Sequence, residues 1–382
     1  MRADKLLQDN PLRIVDIGAS GGIDARWAKF THEYQGILFE PDPREFERLK
    51  SASARQLVVL NSALFDSAST IAFHLCQKQQ VSSVYFPNTD FLARFPKAER
   101  YEITRTVQMA TDTLDSQLAL HAIDDIDFIK MDTQGCELPI LLGGRETLER
   151  TVGMQIEVAF SPSYLNQPLF SDVDTFVRAR GFELFDIKPQ TWTRSDKARG
   201  KGQLVFGDAL YFRSPEQMIS MSGLTPAKLI RAICVYLAYE HTDIARVLLR
   251  DASGGIKLPT ELYELAAAQI SALERRASLR NLLRLRRLRH RVAKIMVRRY
   301  LTRRSRQACR TRQSRNAHKW QAPHWDSRSN NGADKQDHNG SPASGDVRRT
   351  GNGTGRHGCR GFGARDGEHG RDGRPSRQIR NR

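Results

Sequence analysis

The sequence contains no uninterrupted apolar run of the length that crosses a membrane, which is about 18 residues. Its first residues also lack the apolar core of a secretory signal and lead directly into a strand pattern, so we expect a cytoplasmic protein. Cysteine is scarce, and the five that occur follow no CxxC or Cys/His spacing. This excludes a typical zinc or disulfide framework and suits a reducing compartment.

Positive charge is concentrated at one end of the chain. The formal net charge is +17, but the excess of arginine begins only near Arg275, and the preceding residues carry a slight excess of acidic side chains. Because nucleic acids and anionic membranes bind where basic residues cluster, the total charge says nothing about the part of the chain before Arg275.

The first 214 residues alternate apolar strand patterns with helical ones, which favours a parallel, doubly wound sheet. The last two strands are joined by a loop over residues 188–208 without a helix, so we expect them to form an antiparallel pair at the sheet edge. The predicted fold is α/β, a Rossmann-like seven-stranded sheet with the last strand antiparallel. The strand segments are "RIVDIG", "GILFEPDP", "LVVLNSALFD", "IDFIKMD", "VGMQIEVAF", "FELFDI" and "DALYFR".

The strand pattern ends after residue 214. Residues 215–274 have helical periodicity, with Thr225 and Thr260 as predicted caps, and we interpret them as a helical C-terminal appendage. Residues 275–300 predict a basic amphipathic helix, in which apolar side chains recur at three-and-four spacing among arginines; these are Leu285, Leu288, Val292 and Ile295. Residues 301–382 are rich in Arg, Gly, Ser, Asn and Asp, and their few aliphatic side chains predict a disordered tail.

The basic helix over residues 275–300 could pack on the protein itself or contact one of two partners. It could lie on an anionic membrane, where each basic residue near the surface contributes about 1 kcal/mol, as a peripheral contact at the inner membrane surface. Alternatively, it could bind RNA together with the Arg/Gly-rich tail; this nucleic-acid hypothesis is the weaker one.

A glycine turn follows the first strand in "VDIGASGG". Gly18 lets the backbone approach a ligand, and Gly21 with Gly22 permits a tight entry into a helix over "IDARWAKF". A dinucleotide fingerprint needs GxGxxG to bind a pyrophosphate, but Ser20 occupies the position of the second glycine. Asp16 would repel a pyrophosphate and suits a cationic amino acid. The turn therefore favours S-adenosylmethionine, with a dinucleotide-dependent oxidoreductase as the alternative.

Further acids follow other strands. Glu40 ends the second strand, where a carboxylate can accept hydrogen bonds from both hydroxyls of a ribose. Asp132 ends the fourth strand at the carboxyl edge of the sheet, and Glu137 follows on the first turn of a helix. These two carboxylates could orient the donor or a substrate hydroxyl, while Glu137 could instead only stabilise the helix N-terminus.

Taken together, these segments resemble the FkbM-type class I S-adenosylmethionine-dependent methyltransferases. The resemblance covers roughly residues 12–214 in the family's order and does not reach the helices and tail. It implies a class I fold and O-methylation, often of sugars or glycolipids in polysaccharide or natural-product biosynthesis. The matching segments are "VDIGASGG", "FEPDP", "NSALFD", "VSSVY", "TDTLD", "IDFIKMDTQGCELPILLGG" and "IEVAFSPSY".

The resemblance also implies roles for individual residues. Asp132 would lie near the junction of donor and acceptor. Gln134 occupies a position that is often acidic in the family, and its amide argues against a catalytic role for that side chain. The predicted donor-binding residues are Asp16, Gly18, Ser20, Gly21, Glu40 and Asp132, together with Asn61, Ser62 and Ala63 beside the adenine.

Methyl transfer to an alcohol requires a group that removes the hydroxyl proton. Asp132 is the first candidate and Glu137 the second, while His74 and His121 are more typical of ordinary structural or surface histidines. No cluster of His, Asp and Glu has metal-ligand spacing, so we expect a metal-independent reaction on a small-molecule, sugar or lipid-linked glycan acceptor. The predicted acceptor-site residues are Ser82, Ser83, Tyr85, Tyr164 with Asn166, and Trp192, which would lie in a lid formed by the loop after residue 188.

Overall fold

A seven-stranded sheet forms the centre of the protein, for which the computed structural model describes residues 6–7, 10–30, 33–52, 55–197, 199–252 and 254–317. Its strands are β1 (Leu12–Ile17), β2 (Tyr34–Phe39), β3 (Leu57–Leu60), β7 (Phe128–Met131), β8 (Gly153–Ala159), β9 (Glu183–Trp192) and β10 (Gln203–Phe212). The strand order is β3-β2-β1-β7-β8-β10-β9, parallel except for β10, which is antiparallel to both neighbours. This arrangement confirms the predicted doubly wound sheet.

The antiparallel pair at the sheet edge is longer than predicted. β9 and β10 pair from Glu183↔Phe212 to Trp192↔Gln203, so the expected loop over residues 188–208 is mostly strand, and only residues 193–202 connect the two. Polar side chains and Pro189 concealed the end of β9 in the sequence. Both are tolerated there because β9 is an edge strand.

A second, three-stranded sheet was not predicted from the sequence. β5 (Ser69–Cys76) and β6 (Ile103–Asp112) pair antiparallel, and β4 (Ala63–Leu64) adds to β6 in parallel. The segment "LVVLNSALFD", predicted as one strand, is therefore divided between the two sheets. β5 and β6 carry many exposed polar side chains, which concealed their alternation.

Helices cover both faces of the main sheet. One face is covered by α3 (Leu114–Leu120), α4 (Glu137–Leu142), α5 (Arg145–Arg150) and α6 (Phe170–Arg178). On the opposite face, α1 (Pro43–Ala52) packs against Leu38 of β2. The short helix α2 (Thr89–Leu92) packs in a separate cluster. The segment "IDARWAKF" forms a 3-10 helix (Ala25–Phe30), which places Trp27 and Phe30 in the core.

The other face is covered by the helices that the sequence set apart as an appendage. These are α7 (Pro215–Ser220), α8 (Pro226–Ala238), α9 (Thr242–Ala252) and α10 (Thr260–Ala317). Every residue of α8 from Lys228 to Ala238 is buried, and the helix shares one core with Trp27, Phe128 and Phe212. The helices and the sheet therefore bury their apolar surface against each other.

A buried cluster of charges connects α8 to the start of β7. Lys228 Nζ lies 2.8 Å from Asp127 Oδ1 and 2.9 Å from Asp125 Oδ1, and Arg231 Nε lies 3.0 Å from Asp127. Arg231 also pairs with Asp125. Asp127 is fully buried and Lys228 nearly so, which makes this cluster a specific attachment of the helix to the sheet.

The helix α10 is longer than the sequence analysis predicted. Neither residue 275 nor residue 301 is a helix end, so residues 301–317, which were expected to belong to a disordered tail, are helical. The reason is that no glycine or proline occurs between Thr260 and Ala317 to stop the helix. The side chains of Leu285 and Leu288, and residues 318–382 of the predicted tail, lie outside the described part. Within the described ranges, no helix has both the length and the apolar character needed to cross a membrane.

Candidate active site

A cavity of about 820 Å³ lies where the main sheet meets the second sheet. Gly18, Glu40 and Asp132, each directly after a parallel strand, line it from one side. Open α/β sheets bind ligands at this carboxyl edge. The second sheet contributes an apolar wall that was missed in the sequence, formed by Ile71, Phe73, Leu75, Val107 and Met109.

Gly18 brings the turn after β1 against the chain's own backbone. Its φ is +78°, and a Cβ at this position would lie 2.1 Å from the carbonyl oxygen of Asp132. The Asp132 amide in turn donates to the Ile17 carbonyl at 3.1 Å. Gly18 therefore sets the spacing between the two turns that form the floor of the cavity.

We expect Gly18→Ala to destabilise the fold. The left-handed backbone alone costs an L-residue about 1–2 kcal/mol, and the overlap with the Asp132 carbonyl adds to this. Gly21→Ala is the matched control, since its Cβ would meet no atom within 4 Å. Urea unfolding of both variants measures the difference, and equal losses of unfolding free energy would show that the contact with Asp132 is unimportant.

Asp16 lies behind the cavity wall and is not among the residues that line it. The side chain is buried, and its Oδ1 accepts a hydrogen bond from Lys130 Nζ at 3.1 Å. Burial raises the pKa of Asp16 to about 6, with the nearby lysine acting in the opposite direction. Its Oδ2 is buried without a hydrogen-bond partner, which leaves one strong acceptor available at the first strand end.

Glu40 lines the cavity at the end of β2. Its Oε1 accepts a hydrogen bond from the Asp42 amide at 3.0 Å, and burial raises the pKa of Glu40 to about 6. Asn61 is exposed and holds this loop from outside, donating from Nδ2 to the Glu40 carbonyl at 2.9 Å. Of the predicted donor residues, those that line the cavity are Gly18, Ser20, Glu40, Ser62, Ala63 and Asp132, whereas Asp16, Gly21 and Asn61 do not.

Glu137 organises the turn after β7. Its Oε1 accepts hydrogen bonds from the Thr133 amide at 2.8 Å and the Thr133 hydroxyl at 3.0 Å, and its Oε2 accepts one from the Gly135 amide at 3.0 Å. Burial raises the pKa of Glu137 to about 7. The side chain reaches the cavity lining, but both carboxylate oxygens are already engaged by the turn.

Gln134 connects the acids of the site, although its amide argued against a catalytic role. Its Nε2 donates to Asp132 Oδ1 and to Glu157 Oε1, each at 3.0 Å. Its Oε1 accepts a hydrogen bond from the Tyr164 hydroxyl at 3.0 Å, and Ser83 Oγ donates to the backbone carbonyl of Gln134 at 2.7 Å. A positive φ of 56° at Gln134 allows the turn to present this side chain to its three partners.

Glu157 was not predicted as a site residue, although it lies in the matching segment "IEVAFSPSY". It is on β8, lines the cavity and shares the Gln134 amide with Asp132. Burial, followed by the charge of Asp132, raises the pKa of Glu157 well above its usual range, which favours the protonated carboxyl. The available sequence signal was an acid within the otherwise apolar "IEVAF".

The predicted acceptor residues are only partly brought together. Ser82, Tyr164 and Trp192 line the cavity, and the Trp192 ring packs against an aromatic cluster with Phe95 at 5.3 Å between centroids. Trp192 is at the end of β9 and not in a loop. Tyr85 packs against Gly135 instead. Ser83 anchors the Gln134 backbone, as described above, and Asn166 lies outside the lining in a turn with positive φ.

Neither histidine candidate reaches the cavity. His74 is buried, with its Nδ1 2.9 Å from the Thr106 hydroxyl and its ring 4.0 Å from that of Phe86. Burial lowers its pKa. His121 is exposed at the end of α3. In the part of the chain that the structure describes, no three His, Cys, Asp or Glu side chains form a group that could hold a metal ion.

Residues 16–184 match the family described as methyltransferase FkbM domain. Residues 16–184 thus form an FkbM methyltransferase domain. The protein is accordingly an S-adenosylmethionine-dependent methyltransferase, and this replaces the dinucleotide alternative. A curated relative, the 2-O-methyltransferase NoeI of Sinorhizobium fredii (strain NBRC 101917 / NGR234), is 29% identical over 170 residues, which are 42% of this chain and 69% of that protein.

Two of the solved structures similar to this protein have low identity and low TM-scores. The precorrin-6y C5,15-methyltransferase of Geobacter metallireducens GS-15 is 11% identical with a TM-score of 0.28, covering 53% of this chain and 80% of that one. The magnesium protoporphyrin IX methyltransferase of Synechocystis PCC 6803, with bound SAM, is 9% identical with a TM-score of 0.30, covering 55% and 75%.

The residues at the floor of the cavity fit S-adenosylmethionine. This donor carries an ammonium and a sulfonium, which suit the acids Glu40 and Asp132, and Asp16 keeps one buried carboxylate oxygen without a hydrogen-bond partner. The backbone around Gly18 leaves no room for a side chain at that position. The floor of the cavity is thus acidic and lies close to the backbone.

We expect the affinity for S-adenosylmethionine to rise between pH 5 and pH 7. With the pKa of Glu40 and of Asp16 raised to about 6, both carboxyls are mostly protonated at pH 5 and ionised at pH 7. A cationic donor with ribose hydroxyls binds the ionised forms and releases protons. Each carboxyl that must ionise weakens binding at pH 5 by about tenfold.

Calorimetry in buffers of different ionisation enthalpy counts the protons released on binding. Glu40→Gln should bind more weakly at pH 7 and show a shallower pH dependence than the wild type. An unchanged dependence in this variant would show that Glu40 does not titrate with donor binding.

Proposed function

We propose that the enzyme transfers the methyl group to a hydroxyl oxygen of a sugar, in polysaccharide, glycolipid or natural-product biosynthesis. The observation that carries this proposal is the continuity of one cavity, from the acidic donor end past Asp132 to the aromatic side chains Tyr101, Tyr164 and Trp192. Flat aromatic faces with polar edges suit the apolar face and hydroxyls of a sugar ring. The name of the relative NoeI, a 2-O-methyltransferase, supports the choice of oxygen.

We assign the removal of the hydroxyl proton to Asp132. When bound, S-adenosylmethionine supplies a methyl group attached to a positively charged sulfur. The sulfur is the leaving group, and it departs as a neutral thioether without assistance. The protein must hold the hydroxyl in line with it, which contributes about 7–11 kcal/mol in well-oriented systems, and must accept the proton. Gln134 holds Asp132 Oδ1, so that Oδ2 is directed to the hydroxyl, and Glu137 fixes the turn.

We assign the donor contacts to the strand ends. Glu40 accepts hydrogen bonds from the ribose, Asp16 attracts the ammonium through its unpartnered Oδ2, and Ser62 and Ala63 lie along the adenine. Gly18, Ser20 and Gly21 form the turn beneath the amino-acid part, and Asn61 positions the ribose loop. Ser82, Tyr164 and Trp192 contact the acceptor, while Ser83 and Tyr85 act by holding the turn around Gln134 and Gly135.

The test is methyl transfer to a panel of saccharides, polyols, phenols and peptides, followed by mass spectrometry. The expected result is a saccharide heavier by one methyl group, with the position on oxygen located by linkage analysis. Transfer only to nitrogen, sulfur or carbon, or only to peptides or phenols, would refute the proposal. Calorimetry with S-adenosylmethionine first confirms that the preparation binds its donor.

We also propose a cytoplasmic enzyme that contacts an anionic membrane through α10 and acts on lipid-linked glycans. Exposed apolar side chains occur among the arginines of this helix, namely Leu279, Leu282, Leu283, Val292, Ile295, Met296 and Val297. Flotation with vesicles of neutral or anionic lipid tests this contact. If removal of residues 275–382 abolishes RNA affinity and leaves vesicle binding unchanged, the nucleic-acid alternative is correct.

A further inference from the structure

Three cations occur among the side chains that line the cavity: Lys78, Arg100 and Arg105. They are neighbours on the second sheet and its edge, because the Lys78 amide donates to the Arg100 carbonyl at 3.0 Å and Arg105 is paired with Leu75. Among the described residues, none of the three has a carboxylate within ion-pair distance. Arg44, which also lines the cavity, is by contrast paired with Asp42 at 2.8 Å.

Arg100 is the most constrained of these cations. Its guanidinium lies 4.8 Å from the Trp192 ring and 5.0 Å from the Tyr101 ring, both of which line the cavity. Its Nε is buried and has no hydrogen-bond partner. A buried donor without a partner carries a desolvation cost, which an oxygen atom of a ligand would offset.

The cavity lining therefore carries both acids and cations. The acids include Glu40 and Asp132, and the cations without an ion-pair partner are Lys78, Arg100 and Arg105. S-adenosylmethionine is cationic and contains no phosphate, so it accounts for the acids and leaves the three cations unexplained. Arginine is suited to phosphate because its planar group donates two parallel hydrogen bonds to two oxygens.

We propose that the methyl acceptor carries a phosphate group bound by Lys78, Arg100 and Arg105. The inference rests on the proposed sugar methylation, and it specifies the acceptor as a sugar linked to phosphate. Three cations match the charge and the several oxygens of a phosphate better than a single carboxylate. A nucleotide-linked and a lipid-linked sugar share this chemistry.

The phosphate site is tested with inorganic pyrophosphate as the probe. Calorimetry uses the full chain, saturated with S-adenosylhomocysteine, at about 0.15 M salt to suppress binding to exposed arginines. The variants are Arg100→Gln combined with Arg105→Gln, and Arg94→Gln as the control. Arg94 also lies over an aromatic ring, that of Phe91 at 5.5 Å, but is not part of the cavity lining.

We expect the double variant to bind pyrophosphate at least about tenfold more weakly than the wild type, since hydrogen bonds to a charged group are lost. Arg94→Gln should bind like the wild type, and Arg100→Lys should retain part of the affinity. Equal binding by the wild type and the double variant, or no saturable binding by the wild type, would overturn the proposal. Unchanged affinity for S-adenosylhomocysteine shows that the variants are folded.

A second set of probes identifies the source of the phosphate. These are methyl α-glucoside, α-glucose 1-phosphate, UDP-glucose and a farnesyl diphosphate-linked glucose. Preference for UDP-glucose indicates a nucleotide-linked acceptor, and preference for the farnesyl compound a lipid-linked one. If none of the sugar phosphates binds more tightly than inorganic pyrophosphate, the phosphate site stands and the sugar proposal fails. If the neutral glucoside binds as tightly as the phosphates, the phosphate proposal fails.

Discussion

Asp132→Asn should lower the rate of methyl transfer by about 10²–10⁴-fold, the usual contribution of a positioned acid or base. The introduced amide cannot accept the hydroxyl proton, whereas the shape of the turn is preserved because the amide oxygen can still accept a hydrogen bond from Gln134. The affinity for S-adenosylmethionine should change little. Single-turnover kinetics with the acceptor returned by the saccharide panel, together with donor calorimetry, separate the two effects.

Asp208→Asn is the matched control for this experiment. Asp208 is paired across the sheet with Glu157, and its pKa is raised by burial, but it does not line the cavity. The same loss of charge should therefore leave the rate close to that of the wild type. Asp132→Asn could instead weaken donor binding strongly and leave the turnover of bound donor unchanged. In that case Asp132 would be a donor ligand, and the base would have to be another residue.

Lys228→Met should lower the free energy of unfolding by about 3–5 kcal/mol, the cost of removing one partner from a buried ion pair. Asp127 is fully buried, and in the variant its carboxylate would keep its contacts with Arg231 and the Arg13 amide but lose its contact with the lysine. Urea unfolding followed by the fluorescence of the tryptophans, including Trp27 in the core beneath α8, measures the loss.

Lys188→Met serves as the comparison for this substitution. Lys188 is largely exposed and lies 3.9 Å from Asp208, and exposed pairs contribute about 0–1 kcal/mol. A loss for Lys228→Met as small as that for Lys188→Met would mean that the buried cluster does not hold α8 on the sheet.

The strand-end part of the cavity was predictable because it depends on local signals. In a parallel sheet, whatever follows a strand lies at the carboxyl edge, so the positions of Gly18, Glu40 and Asp132 after apolar runs predicted that they lie together, as they do in the cavity lining. The parallel order and the antiparallel last strand were predictable for the same reason. Alternating strand and helix patterns permit few other topologies.

The remaining parts of the site depend on contacts between distant positions. Gln134 reaches Glu157 and Tyr164, which are 23 and 30 positions away, and no local pattern indicates such a hydrogen bond. The strands β5 and β6 form a wall of the cavity with one face, while their other face is only partly covered and carries exposed polar side chains, so their mixed polarity concealed them. Lys228 and Asp127 are 101 positions apart, and a lysine in a helix is normally an exposed residue.

The shared core beneath α8 determines how short the enzyme can be made. A protein ending at residue 214 would contain every strand and every side chain assigned above to the cavity, yet it would leave Trp27, Phe128 and Phe212 exposed to water. Such a truncation should aggregate on expression rather than yield a minimal catalyst. The shortest useful fragment therefore has to extend through Leu273, the last buried residue of that core.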